Sequence, residues 1–315
     1  MTTDLLAVHS VDEFAIGVPD LAVARHFYES FGLDVRNEGG GLGLYTQGHP
    51  HRWARVLGGQ PRKKLLWLSF GASEGDLPRF ADKFKTAGLA AVTPPPGGDP
   101  GGLWVTSPDG VAVQVRAAVK CSPSKPAPRE FSPPTGNGTG RAPSRSGVKA
   151  VQPLYLSHIL LFTPDVDTAL TFYCDTLGLR VSDRSGSIIA FLHTPHGSDH
   201  HLVALAKSHA PGLHHSSWCV PSIDAVGQGM EQMSRAGYPD GWGVGRHVLG
   251  SNYFRYVRDP WGSYAEYSFD IDFVPEGMTW PAADHPPEDS LYVWGPAVPA
   301  DFVVNHEVDT NGVPA

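Results

Sequence analysis

Hydrophobic and polar positions recur in the same order in two parts of the chain. Residues 18–35 read VPDLAVARHFYESFGLDV and residues 163–181 read TPDVDTALTFYCDTLGLRV, with one residue inserted in the second segment. In each, a Pro-Asp pair can cap a helix, a Phe-Tyr pair falls on its buried face, and Gly32 or Gly178 ends it. A short apolar strand precedes each helix and strand-like alternation follows it. The pattern predicts two copies of one unit.

The two copies also end alike. Residues 107–115 read SPDGVAVQV and residues 259–268 read DPWGSYAEYS, each a Pro-containing turn that leads into a strand with a period of two. Amphipathic patterns predict a further helix in each half, over residues 75–87 and 222–237. We therefore expect an α+β fold in which each half is itself a doubled strand-helix-strands unit.

A segment rich in Pro, Ser and Gly separates the halves. Residues 121–150 contain almost no large apolar side chain, and a structureless stretch of this length is uncommon inside a compact domain. We expect an N-terminal domain over residues 1–120, a linker over 121–150 and a second domain over 151–275. The tail, residues 276–315, combines Pro with aromatic residues, so we expect it to pack over a pocket or at a subunit contact.

Composition limits the partners of the chain. Its 315 residues are 41% apolar and carry a formal net charge of -8, without a run of basic residues that would neutralise a row of phosphates. Apolar runs are far shorter than the roughly 20 residues that cross a bilayer. The N-terminus lacks the pattern of a secretory signal, and the three cysteines show no paired spacing. These features predict a cytoplasmic protein that binds neither nucleic acid nor a membrane.

Comparison of the halves singles out three strand positions in the second half. A His, a His and a Glu stand there, where the first half has other residues. The corresponding pairs are His158 with Glu13, His215 with Lys64 (placed through the shared Trp67 and Trp218), and Glu266 with Gln114. A single strand histidine is more often a core or surface residue than a ligand. Two imidazoles and a carboxylate together are typical of a ferrous site with open coordination positions.

The neighbouring histidine offers a second choice of ligand. Adjacent residues of a strand point to opposite faces, so only one of His214 and His215 can belong to the site. His214 shares its face with Trp218 and Val220, which look like packing residues. We therefore choose His215.

Residues 245–267, GRHVLGSNYFRYVRDPWGSYAEY, resemble the signature of the type I extradiol ring-cleavage dioxygenases of the vicinal oxygen chelate superfamily. The matching positions are Gly245, His247, Tyr256, Asp259, Pro260, Gly262 and Glu266. Arg255 departs from the apolar residue that usually precedes the Tyr. Residues 198–206 (SDHHLVALA) and 211–218 (PGLHHSSW) resemble the segments that carry a catalytic histidine and the second metal ligand.

The resemblance implies tandem domains, each a pair of βαβββ modules in an incomplete barrel around the site, with the first domain metal-free. His158, His215 and Glu266 would bind Fe(II), with Mn(II) as the alternative metal. His201 would be the acid-base residue, and His247 and Tyr256 would contact the substrate. Leu249 would line the aromatic ring, with Phe191 and His193 as weaker expectations, and His200 is expected to be an exposed loop residue.

This site would open the ring of catechol or a substituted catechol with O2, giving a muconic semialdehyde-type product. We also expect a homo-oligomer. Two alternatives stay open at the level of sequence: a glyoxalase-like metal isomerase or transferase, and a non-catalytic protein that binds an aromatic ligand.

Overall fold

Two open sheets, one in each half of the chain, carry the helices of this fold. The computed structural model describes residues 5–130, 140 and 142–308. The elements of the first half are β1 (Ser10–Gly17), α1 (Leu21–Phe31), β2 (Asp34–Glu38), β3 (Gly41–Tyr45), β4 (Arg52–Leu57), β5 (Lys64–Ala72), α2 (Leu77–Thr86), β6 (Leu103–Thr106) and β7 (Ala112–Ala117). They form a seven-stranded sheet in the order β2-β3-β4-β1-β5-β7-β6.

The second half repeats this order and extends it. Its elements are β8 (Tyr155–Thr163), α3 (Val166–Thr171), β9 (Arg180–Ser185), β10 (Ile189–His193), β11 (Ser198–Asp199), β12 (Val203–Lys207), β13 (Gly212–Cys219), α4 (Ile223–Arg235), β14 (Gly241–His247), β15 (Tyr253–Arg258), β16 (Tyr264–Phe269), β17 (Phe273–Val274), β18 (Ala283–Asp284), α5 (Pro287–Ser290) and β19 (Tyr292–Trp294). Ten of the strands form one sheet in the order β18-β9-β10-β12-β8-β13-β16-β15-β14-β19.

The paired βαβββ architecture expected from the sequence is present, with one difference in the first half. After α2 the chain forms two strands, β6 and β7, instead of three. Between α2 and β6, the amide of Val92 donates to the carbonyl of Trp104, but the intervening Pro- and Gly-rich residues form no regular strand. Proline cannot donate to a sheet ladder, which explains the missing strand.

Local chemistry sets the ends of the repeated helices. Asp20 accepts hydrogen bonds from the amides at the start of α1, and Asp165 does the same for α3. Gly32 and Gly178 end the helical segments at positive φ (99° and 79°), where a Cβ would be strained. The residue inserted in the second copy is accommodated by a π-helical turn at Phe172–Thr176, directly after α3.

Both halves contribute to one hydrophobic core. The rings of Phe31 and Tyr267 stack with their centroids 3.9 Å apart, and the Tyr267 hydroxyl donates to the carbonyl of Phe31. Lys63 and Asp259 form a buried ion pair across the same boundary. The N-terminal segment also bonds to the second half, where the amide of Val8 donates to Leu177.

The C-terminal tail contributes both edges of the second sheet. Strand β18 pairs with β9 at one edge, and β19 pairs with β14 at the other. The tail therefore runs from one edge to the other across the open side of the sheet.

Parts of three sequence-predicted segments lie outside the described residues. These are residues 1–4 of the expected N-terminal domain, residues 131–139 and 141 of the expected linker and residues 309–315 of the tail. Within the described ranges, no helix combines the length and apolar character that crossing a membrane requires.

Candidate active site

Three neighbouring strands bring His158, His215 and Glu266 together. Nε2 of His158 lies 3.3 Å from Nε2 of His215, and Oε2 of Glu266 lies 3.3 Å and 3.5 Å from these two nitrogens. All three residues are buried. Because β8, β13 and β16 are adjacent in the sheet, these side chains project from one face toward a common point.

Oε2 of Glu266 is buried and, among the described residues, accepts no hydrogen bond, although the two imidazole Nε2 atoms lie beside it. Burial raises the pKa of Glu266, but the interaction with the adjacent His158 outweighs this, so the net pKa is lowered. Burial lowers the pKa of His215 well below its usual range. A neutral imidazole and an ionised carboxylate are the protonation states in which these groups bind metal.

Hydrogen bonds on the far side of each ligand ring fix its tautomer. Ser157 donates to Asp199, so its oxygen can accept from Nδ1 of His158, 3.3 Å away. Nδ1 of His215 lies 2.7 Å from Nδ1 of His214. A ring in the tautomer with its single hydrogen on Nδ1 has no hydrogen on Nε2. The two Nε2 atoms and Oε2 of Glu266 then point toward one another with free lone pairs, and a divalent cation between them would stabilise this arrangement.

His214 is placed as the alternation of the strand predicts. Its Nε2 lies 2.7 Å from the carbonyl oxygen of Phe302, which can only accept. Burial lowers the pKa of His214 to about 4, so the ring is neutral at neutral pH and its Nδ1 accepts from His215. His214 is therefore not one of the three converging side chains, but it contacts one of them, His215.

His247 and Tyr256 lie beside the carboxylate of Glu266. Nε2 of His247 is 3.9 Å from Oε1 of Glu266 and 2.9 Å from the Tyr256 hydroxyl. Nδ1 of His247 donates to the carbonyl of Leu291, so Nε2 of the neutral ring accepts from Tyr256. Burial, then the charge of Glu266, raises the pKa of Tyr256 well above its usual range, which keeps its hydroxyl protonated.

His201 covers the third side of the site. Its ring centroid lies 4.0 Å from that of His158 and 4.9 Å from that of Phe191. The expectation that His200 is an exposed loop residue is wrong, because this histidine has no exposed surface and bonds to Asp183. The two adjacent histidines in the sequence gave no indication that His200 is buried, because its partner Asp183 lies on β9, away from it in sequence.

A cavity of about 280 Å³ opens from this cluster. Leu249 and Phe191 line it, as expected from the sequence. His193 does not. It lies two residues beyond Phe191 on β10, where its Nδ1 bonds to Ser182, 2.8 Å away. The C-terminal tail forms one wall of the cavity, through Pro287, Ser290, Leu291, Val298, Phe302 and Val303.

Comparisons with known proteins agree with this geometry. The sequence profile of the Glyoxalase/Bleomycin resistance protein/Dioxygenase superfamily matches residues 155–267. Metapyrocatechase 2 of Cupriavidus necator is 52% identical over 301 residues, which cover 96% of this chain and 93% of that protein. The chain belongs to the extradiol dioxygenases of this superfamily.

Other proteins of known structure have the same fold as this chain. Homoprotocatechuate 2,3-dioxygenase from Arthrobacter globiformis superposes with a TM-score of 0.74 at 20% identity, covering 97% of this chain and 94% of that one. The Mn(II)-bound glyoxalase from Novosphingobium aromaticivorans has a TM-score of 0.73 at 24% identity, covering 93% of both chains. These likenesses concern the fold.

Strand pairing corrects one of the internal equivalences. Ser217 pairs with His158 and Glu266, while Ser69 pairs with the residues that correspond to them in the first half, Glu13 and Gln114. Counting two residues back along each strand, the counterpart of His215 is Trp67, not Lys64. The shared tryptophans misled the comparison, because Trp218 corresponds to Phe70.

The first half of this dioxygenase fills the corresponding place with other contacts. Glu13 is paired with Arg52 and Arg55, and Gln114 accepts from Ser69. The fully buried ring of Trp67 stands where the second half has His215. At these positions the described residues offer a bulky indole and an ion-paired carboxylate in place of converging metal ligands.

Proposed function

We propose that this chain opens the ring of catechol or of a substituted catechol beside the diol, using O2 and a non-haem metal, to give a muconic semialdehyde-type product. The observation that carries the proposal is the buried cluster of His158, His215 and Glu266 at the end of a largely apolar cavity. Membership of the extradiol dioxygenases, through a relative that is 52% identical, supports the same reaction.

We infer that the metal is Fe(II), with Mn(II) as the alternative. His158, His215 and Glu266 would hold it through Nε2, Nε2 and Oε2, the atoms that the surrounding hydrogen bonds leave without a hydrogen. When bound, such a metal supplies a Lewis acid with open positions and relays electrons between the diol and dioxygen. Mixed nitrogen and carboxylate ligation suits both ions.

Three further side chains would act on the substrate. The protonated Tyr256 hydroxyl would donate to a substrate oxygen next to Glu266, and Nε2 of the neutral His247 would accept a hydrogen from the diol. His201 would hold and release a proton at its Nε2, on the opposite side of the cluster. Because His247 and His201 would lie on different sides of the catechol ring, one could remove a proton at one step and the other deliver a proton at another.

The cavity wall defines the class of catechol. Apart from the cluster of histidines with Tyr256 and Asn252, the lining is largely aliphatic and aromatic. Lys207 is the only Lys or Arg among the described residues that line it, and its ammonium group is already bonded to the carbonyl of Pro164. A single lysine whose ammonium group is held by a backbone carbonyl compensates little of the hydration that an anionic substituent would lose, so uncharged catechols are favoured.

The test is a panel assay on protein loaded anaerobically with Fe(II) or with Mn(II). Oxygen uptake and a yellow ring-fission product are expected with catechol and alkylcatechols, and much slower turnover with 3,4-dihydroxybenzoate. Stoichiometric metal binding without oxygen uptake on any catechol would exclude the dioxygenase and leave an isomerase or transferase on the same fold.

A further inference from the structure

Adjacent histidines beside the cavity are joined through their rings. Nδ1 of His200 lies 3.0 Å from Nδ1 of His201, and Nε2 of His200 lies 2.9 Å from Oδ2 of Asp183. Both histidines are buried. His201 lines the cavity, whereas His200 and Asp183 do not. A line of hydrogen bonds therefore runs from a carboxylate, through one imidazole, to the imidazole that faces the substrate.

The carboxylate decides the direction of these hydrogen bonds. Burial raises the pKa of Asp183, but hydrogen bonds from His200, His285 and a backbone amide outweigh this and bring the pKa to about 2. An ionised carboxylate only accepts, so Nε2 of His200 carries a hydrogen. An imidazole tautomer with its hydrogen on Nε2 has a bare Nδ1, so in this tautomer Nδ1 of His200 accepts from Nδ1 of His201. In that arrangement Nε2 of His201 carries no hydrogen, and it is the ring nitrogen of this cavity-lining residue that His200 does not engage.

Donors from the C-terminal tail hold the same carboxylate. Trp280 donates through Nε1 at 3.2 Å, His285 lies 2.9 Å away through Nε2, and the amide of Ala283 donates at 3.0 Å. With His200, four groups surround the two oxygens of Asp183. The carboxylate therefore has one orientation, which rigid positioning of a site histidine requires.

We propose that Asp183 and His200 are positioning residues for His201: they fix the orientation of its ring and determine which of its nitrogens is offered to the substrate. The inference rests on the proposed function, in which His201 handles a proton at Nε2. Without its partner His201 could adopt the other tautomer or rotate about its χ angles, and the fraction of correctly placed rings would fall.

The first test compares His200→Phe and His200→Gln with wild type in the Fe(II)-loaded enzyme. The Phe variant keeps a ring but bonds to neither neighbour, so we expect kcat to fall on the order of 100-fold with the KM for catechol and the metal content unchanged. The Gln variant can still bond to one neighbour, so it should recover part of kcat. Replacement of the exposed His209 by Phe is the matched control and should leave both constants unchanged.

A double-mutant cycle separates positioning from general loosening. If Asp183 acts through His200, Asp183→Asn together with His200→Phe should lower kcat no more than the single His200→Phe change. Additive losses would overturn the inference, as would a wild-type kcat in His200→Phe alongside a strongly impaired His201→Phe.

A readout without turnover keeps the inference separate from the proposed function. Ring-nitrogen NMR of ¹⁵N-histidine-labelled, zinc-loaded protein should show a single His201 tautomer with the hydrogen on Nδ1, and mixed tautomers in His200→Phe. Failure of wild type to consume oxygen with any catechol would remove the proposed function while leaving this measurement intact. An unchanged His201 tautomer in His200→Phe would remove the inference alone.

Discussion

Nδ1 of His214 lies 2.7 Å from Nδ1 of His215, and the same His214 ring bonds through Nε2 to the carbonyl of Phe302. The bond to Phe302 places a hydrogen on Nε2 of His214, which makes its Nδ1 an acceptor for His215. A residue of the C-terminal tail thus determines, through one intervening ring, that Nε2 of His215 is free for a metal.

Replacement of His214 by Phe should therefore weaken metal binding. Phe keeps the ring that packs against Phe302 but cannot accept from His215, so the ligand loses its preferred tautomer. We expect metal affinity to fall about 10- to 100-fold, as measured by titration against a competing chelator. His209→Phe, on the surface, serves as the control. Equal affinities for the two variants would show that the tautomer of His215 does not depend on His214.

The carboxylate of Glu266 gives a second prediction. Metal should stabilise wild-type protein by about 2.7 kcal/mol when its free concentration is 100 times the Kd. Glu266→Gln keeps the shape of the side chain but removes the charge at Oε2, so the melting temperature should no longer respond to metal. The exposed Glu276→Gln change is the matched control and should retain the response. A normal metal-dependent shift in Glu266→Gln would place the metal elsewhere.

Features set by local chemistry were predictable from the sequence. The helix caps Asp20 and Asp165 and the helix-ending Gly32 and Gly178 act within one turn of the chain, so their residue types predict their structure. The alternation of β13 was sufficient to prefer His215 to His214. The family signature placed His201, His247 and Tyr256, which the structure brings around one cavity.

Features that depend on distant pairings were not predictable. The prediction that Trp67 corresponds to Trp218 was wrong, because the spacing of residues in the sequence does not show which residues pair across neighbouring strands. His200 is buried because it bonds to Asp183 and packs against Trp280 of the tail, and neither residue is its neighbour in sequence. The course of the tail across the sheet likewise depends on pairings at the two sheet edges, since its short strands have no strong pattern of their own.

Asp199 should give the protein a pH-dependent stability. Burial raises its pKa from 3.8 to about 7, against the opposing effect of hydrogen bonds from Ser157 and Tyr155. A raised pKa means that the folded state binds the proton more tightly than the unfolded state. The stability that this group contributes is therefore fully present below pH 3.8 and is lost as the pH rises through about 7.

Urea unfolding of metal-free protein at pH 5 and pH 8 tests this sign. The free energy of unfolding of Asp199→Asn should fall less between these two pH values than that of wild type, because Asn has no proton to lose. Asp82→Asn, an exposed change on α2, should leave the pH dependence as in wild type. Identical pH dependence in wild type and Asp199→Asn would show that the carboxyl group is ionised in the folded protein at both pH values.

Removal of the tail should impair both substrate binding and stability. Residues after Glu276 supply one wall of the cavity, and the Glu307 carboxylate accepts from the amides of Leu65 and Leu213, one in each half of the chain. For a chain that ends at Glu276 we expect a lower melting temperature and a KM for catechol raised by about tenfold, which corresponds to about 1.4 kcal/mol of lost binding. Circular dichroism would establish that the sheets persist.

Leu291→Ala, a part-exposed lining position, tests the wall in the full chain and should raise KM with little change in melting temperature. Wild-type KM values in both proteins would show that the tail wall does not contribute to catechol binding.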